Sequence, residues 1–183
     1  THREVADLFE VPIKYMTEGI NKFNSLMMDT IHKNTLHSSE KNNVPAYIKR
    51  YCDLLMMGKN HAIVAIAIAN NISTMGILCE SIPTSIAVAA IYFMIHFYKI
   101  NLPIDDILER LNMHNVQFNF ETDKIKKKKK PEKALLAALT HQSDVTITKT
   151  YKKLEDFSAI ITSNITVSAS ALTIKINRIK QIE

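Results

Sequence analysis

Residues 81–95, SIPTSIAVAAIYFMI, decide the fold. From Ile82 to Ile95 nearly every position is apolar or small, and the run closes on His96. About 14 residues are too few to cross a bilayer, which needs roughly 20. A helix apolar on all sides belongs at the centre of a bundle, where every face has a neighbour. Pro83 suits its first turn, since a proline's missing N–H would find no partner there anyway.

The surroundings read as helices too. NHAIVAIAIANNISTMGIL, residues 60–78, is apolar almost all round. PAYIKRYCDLLMM, residues 45–57, carries Ile48, Tyr51, Cys52 and Leu55 on one face, with Gly58 placed as a C-terminal stop. PIDDILERLN, residues 103–112, aligns Ile104, Ile107, Leu108 and Leu111, and Asp105 and Asp106 suit its first turn. PEKALLAALT, residues 131–140, predicts another helix, and Ser143 or Asp144 caps the next. At the N-terminal end, a short helix with Val5, Leu8 and Phe9 on one side precedes a longer one through Ile13, Met16, Ile20 and Phe23 to about Asp29. HKNTLHSSEKNN, residues 32–43, has no periodicity and reads as a linker. The tail from 158 is ambiguous, with a terminal helix expected from about Ser168.

Composition supports an all-α chain. Among 183 residues only 3 are glycine, which disfavours phosphate-cradling loops and hairpin-rich sheets. Cys52 and Cys79 have no metal-ligand spacing and are expected as reduced core residues of an intracellular protein. No pair among the 7 histidines has ligand spacing, so His61 and His96 are read as helix-surface or cap residues. Asn164-Ile-Thr matches a glycosylation acceptor by pattern alone. There is no nucleophile–base pair, and no catalysis is expected. Charge is uneven. Residues 121–183 hold 13 Lys/Arg against 7 Asp/Glu, whereas the first 120 hold 10 against 11. The excess, including the run Lys126, Lys127, Lys128, Lys129 and Lys130, points to a polyanion partner on one side.

The chain also matches itself at an offset of 131 residues: Val5, Ala6, Leu8, Met16, Ile20 and Phe23 fall on Leu136, Ala137, Leu139, Ile147, Tyr151 and Leu154. Both segments read as helix, short turn, helix, which implies two copies of one helical fold, the first represented only by its end.

These motifs resemble the cyclin-fold repeats of transcription factor IIB. The resemblance is carried by Pro83, Ser85, Ala87, Ala89, Ala90, Ile91 and Tyr92, matching a Pro-x-Ser before an Ala-rich helix. It is carried again by Asp144, Val145, Thr146, Ile147 and Tyr151 in SDVTITKTYKKL, residues 143–154, and by REVADLFEVPIKYMTEGINKF, residues 3–23. It implies that residues 1–35 close a first repeat, that 44–157 form a second with a Lys-rich insertion near 113–131, and that 158–183 extend beyond it. The insertion departs from the family, which has a short connection there. Abundant Lys, Ile and Asn suit an AT-rich genome, so a large cytoplasmic DNA virus is the expected source.

By resemblance, the partners are double-stranded promoter DNA, a TATA-box-binding protein and RNA polymerase, in a cytoplasmic viral factory or otherwise a nucleus. A zinc ribbon would lie upstream, and this fragment needs no cofactor. The expected DNA-binding residues are Val145, Thr146, Thr148, Lys149, Lys152 and Lys153, with Lys126 to Lys130 beside them. In the family this helix enters the major groove, where an apolar residue and an arginine read bases. Val145 stands at the apolar position and Thr148 at the arginine's, so the family's guanine preference is expected to be lost. The competing reading is a cyclin-fold protein–protein interaction module that ignores DNA.

Overall fold

The computed structural model describes residues 2–27, 43–113, 125 and 130–165. Within them the chain forms nine helices and no strand: α1 (His2–Leu8), α2 (Ile13–Met27), α3 (Val44–Leu54), α4 (Lys59–Thr74), α5 (Pro83–Phe97), α6 (Ile104–Met113), α7 (Pro131–Thr140), α8 (Asp144–Glu155) and α9 (Ser158–Thr162). The architecture is the all-α bundle expected of a cyclin-type repeat. Most of the expected linker, the lysines Lys126 to Lys129 and the tail from 166 lie outside the described residues.

Helix α5 is the axis of the bundle. Every residue from Ala87 to Ile95 is buried, and α3, α4, α7 and α8 all pack on it. Alanines at 87, 89 and 90 let neighbouring backbones approach closely, while Ile91, Tyr92, Phe93 and Met94 fill the space between them. Tyr51, Ile68, Ile72, Leu135 and Leu136 complete the core from the surrounding helices. Asp105 and Asp106 occupy the first turn of α6, where the helix dipole favours negative charge.

Helix ends explain how a chain with so little glycine turns corners. Glu10, Met56, Lys99 and His141 take the left-handed conformation, with φ of 53 to 55°. After three of them the next amide bonds a carbonyl five residues back: Val11 to Ala6 at 2.9 Å, Met57 to Cys52 at 2.8 Å, and Ile100 to Ile95 at 2.9 Å. Orphan carbonyls are thereby satisfied. Gly58, expected as the stop of α3, instead precedes α4 with extended backbone (φ −72°, ψ 171°), and Met56 takes the reversal.

Three further expectations change. Cys79 lies exposed in the turn between α4 and α5, whereas Cys52 is buried as expected. His61 is only 3% exposed and belongs to the core face of α4. Val5, Leu8 and Phe9 are exposed, and it is Ala6 that α1 buries.

The offset of 131 residues has a geometric counterpart. Helix α2 starts at Ile13 and α8 at Asp144, and the left-handed Glu10 (φ 54°) corresponds to the left-handed His141 (φ 53°). The two turns share a conformation as well as a spacing.

Candidate nucleic-acid interface

The candidate surface is the outward side of α8, presented by the α7–turn–α8 unit. The turn is short: α7 ends at Thr140, His141 reverses the chain, and Ser143 caps α8. The Ser143 hydroxyl accepts from the Thr146 amide at 3.0 Å and lies 2.8 Å from the Thr146 hydroxyl. Asp144 adds negative charge to the first turn.

Long-range contacts hold this turn. Ser85 Oγ donates to Gln142 Oε1 at 3.0 Å, and Gln142 Nε2 donates to Thr84 Oγ1 at 3.4 Å. Thr84 and Ser85 are nearly buried in the first turn of α5. The Pro-x-Ser motif therefore ties the turn before α8 to the bundle axis. His141 Nε2 lies 3.6 Å from Asp7 Oδ2, which brings α1 to the same turn.

Inward, α8 sits on α5 through Ile147 and Leu154, both buried as expected, and through Thr150, whose hydroxyl bonds back to the carbonyls of Thr146 and Ile147. Tyr151 is half-buried. Its ring meets Tyr92 edge-on at 5.2 Å and lies 5.2 Å from His96. Tyr92 packs against His96 at 4.4 Å, and His96 Nε2 reaches to 3.6 Å from Glu132 Oε1 on α7. Such aromatic pairs are worth about 0.5–1.5 kcal/mol each beyond their buried area. Burial pushes the Tyr92 hydroxyl up to about 12, so it stays protonated at any physiological pH. Burial, then the Lys130 charge, holds His96 below the ordinary histidine value, outweighing the opposing pull of Glu132 and Glu155. This cluster fixes the rotation of α8 about its own axis.

That rotation decides what faces solvent. At about 100° per residue, Val145, Lys149 and Lys152 fall within about 60° of one another. All three are exposed, Val145 at 75%. Lys153 is exposed on the flank of this stripe. Thr146 and Thr148 are half-buried, and their hydroxyls are engaged: Thr146 with Ser143, and Thr148 donating to the Asp144 carbonyl at 2.8 Å. Thr148 also accepts from Lys133 Nζ on α7 at 3.3 Å. Lys130 is exposed immediately before α7, while Lys126 to Lys129 fall outside the described residues.

Sequence reasoning missed Gln142 and Asp7. Each acts through a partner far along the chain, 57 residues away for Gln142 and Ser85, and no local pattern marks such a pair.

Against known proteins, residues of this chain align with a transcription initiation factor IIB-like protein of Acanthamoeba polyphaga mimivirus, at 28% identity over 159 residues. The chain is similar to a viral factor IIB-like protein. The alignment covers 86% of this chain and 28% of the relative. No family model matches, and no solved structure matches. Among the described residues no helix is long and apolar enough to cross a membrane.

Proposed function

We propose that this chain is the DNA-gripping part of a transcription initiation factor of the factor IIB kind. In this reading α1 and α2 close a first cyclin-type repeat, and α3 to α8 build a second. The second repeat lays α8 against promoter DNA and helps a TATA-box-binding protein and RNA polymerase assemble there. The work is done by shape and charge, with no chemistry and no cofactor.

The observation that carries the reading is the outward stripe of α8. An exposed valine and two exposed lysines follow one another at i, i+4 and i+7 on a capped helix, on the side opposite the core. Val145 is 75% exposed on this side of the helix. Beside a thymine methyl in a major groove it has a use. The lysines supply phosphate neutralisation, which dominates affinity for duplex DNA. The similarity to a viral protein named for transcription initiation agrees with this surface.

The test is a fluorescence-anisotropy titration of a roughly 25-base-pair duplex at two salt concentrations, alone and with a TATA-box-binding protein. Binding that weakens steeply with salt and tightens beside the second protein is expected. Salt-independent binding, or none with or without that protein, would refute the reading.

A further inference from the structure

We propose that His96 is a proton-operated latch, holding the α7–α8 pair against the end of α5 while neutral and releasing that end when charged. The latch works in the free chain, whatever α8 binds.

The pair is tied to α5 at two places. At one end Gln142, in the turn between α7 and α8, bonds Ser85 at 3.0 Å and Thr84 at 3.4 Å in the first turn of α5. At the other end His96, in the last turn of α5, meets Glu132 at the start of α7 and Tyr151 in the later half of α8. From Ser85 to His96 is about 16 Å along the helix. The first tie joins neutral groups and ignores pH. The second contains a titratable ring.

His96 is half-buried, and its Nε2 is shut off from solvent without a hydrogen bond among the described residues. Glu132 Oε1 stands 3.6 Å away, too far for one. The ring packs on Tyr92 of α5 at 4.4 Å and on Tyr151 of α8 at 5.2 Å, and Tyr151 donates to Glu155 at 3.4 Å. The titratable and charged groups facing His96 are thus Tyr92 on α5, Lys130 and Glu132 at the start of α7, and Tyr151 and Glu155 on α8. Burial pushes both tyrosine hydroxyls up, Tyr92 to about 12, so neither changes charge near neutrality.

A neutral ring suits this setting. A charged one loses water without gaining a hydrogen bond and meets Lys130 as a like charge; the attraction of Glu132 and Glu155 does not make up the difference. Packed, His96 therefore resists a proton that the same ring accepts in water. By linkage, acid favours an arrangement in which the ring is wetted, by up to about tenfold per pH unit for one proton. The Gln142 tie has no proton to gain, so the His96 end yields and Tyr151 leaves with it. Lys152 and Lys153 belong to that end of α8, so the latch governs where the helix carries its charge.

The test follows hydrogen exchange by mass spectrometry from about pH 7.5 to 5, corrected for intrinsic rates, and the His96 ring by NMR. Exchange over 150–155 should quicken on the order of tenfold as His96 titrates, while α3 and α4 stay protected. His96→Phe should remove this pH dependence. Lys130→Ala should raise the midpoint of the His96 titration and Glu132→Gln should lower it, each carrying the α8 transition with it. Neither of these two substitutions enters the core, so they decide the matter if His96→Phe does not fold. Exchange that ignores the titration, quickening that persists in His96→Phe, or a midpoint indifferent to both charges overturns the proposal. Quickening shared equally by α3, α4 and α5 would mean that acid unfolds the whole bundle, and would overturn it too.

Discussion

Replacing Lys149 and Lys152 together by alanine removes two charges from the outward stripe of α8 without touching its packed side. Both residues are exposed, and the contacts that seat the helix come from Ile147, Thr150, Tyr151 and Leu154. The melting temperature should therefore move by no more than about 2 °C. DNA affinity should respond in a defined way. Each phosphate neutralised contributes about −0.9 to the slope of log affinity against log salt, so two lost contacts flatten it by about 1.8. Between 50 and 200 mM salt that is roughly a twelvefold difference: the variant's affinity should fall about twelvefold less than that of the unchanged chain. Anisotropy titrations of one labelled duplex at four salt concentrations measure the slope directly. The loss at low salt should be similar for unrelated sequences, because phosphates carry no sequence. An unchanged slope with intact folding would show that α8 does not face DNA, whatever the affinity does.

Ser143→Ala removes the cap of α8 and should cost about 1 kcal/mol, a fall of about 3 °C in melting temperature by calorimetry. His96 is held below its ordinary value in the folded chain, so the unfolded chain takes up its proton first as pH falls. Its contribution to stability is then complete above about pH 6.5 and lost progressively below it, and urea titrations of a His96→Phe variant should show a weaker loss over that window. Burial pushes the Cys52 thiol up to about 12 while Cys79 is exposed, so a thiol reagent should modify one cysteine in the folded chain and both in denaturant, counted by mass spectrometry.

The elements that sequence made legible are those governed by local rules. Asp105 and Asp106 announce the start of α6, Pro83 the start of α5, and Ser143 the start of α8; a cap is a contact within one turn. The outward position of Val145 and Lys149 followed from the same periodicity that sent Ile147 and Leu154 inward. Local rules fail where a distant partner decides. His61 looks like any polar residue near a helix start, and only the packing of α4 against α3 and α5 makes it a core residue. Gly58 looked like a helix stop because glycine takes positive φ cheaply, yet Met56 reverses the chain. The Met57 amide bonded to the Cys52 carbonyl offsets the strain of that conformation.

The repeated helix pair shows most sharply that a pattern locates a face without saying what covers it. Leu139 and Leu154 are wholly buried on α5, whereas Leu8 and Phe23, their counterparts at an offset of 131 residues, are 75% and 52% exposed. The two pairs share helix starts and a left-handed turn residue, so their difference is not conformational. It lies in the partner. The α7–α8 pair rests on a helix apolar on every side, and within the described residues the α1–α2 pair has no such helix beneath those two side chains. At about 25 cal/mol per Å² of apolar area, side chains of this size forgo roughly 1.5–3 kcal/mol each when left in water. The first pair is therefore held chiefly by contacts between its own helices and by local ties such as Asp7 to His141. Severing that tie with Asp7→Ala should loosen α1 while leaving α3 to α8 intact, since the core around α5 does not depend on it. Hydrogen exchange should accordingly quicken in α1 and α2 and stay slow in α5; a rise in α5 as well would mean that the two helix pairs fold as one cooperative unit.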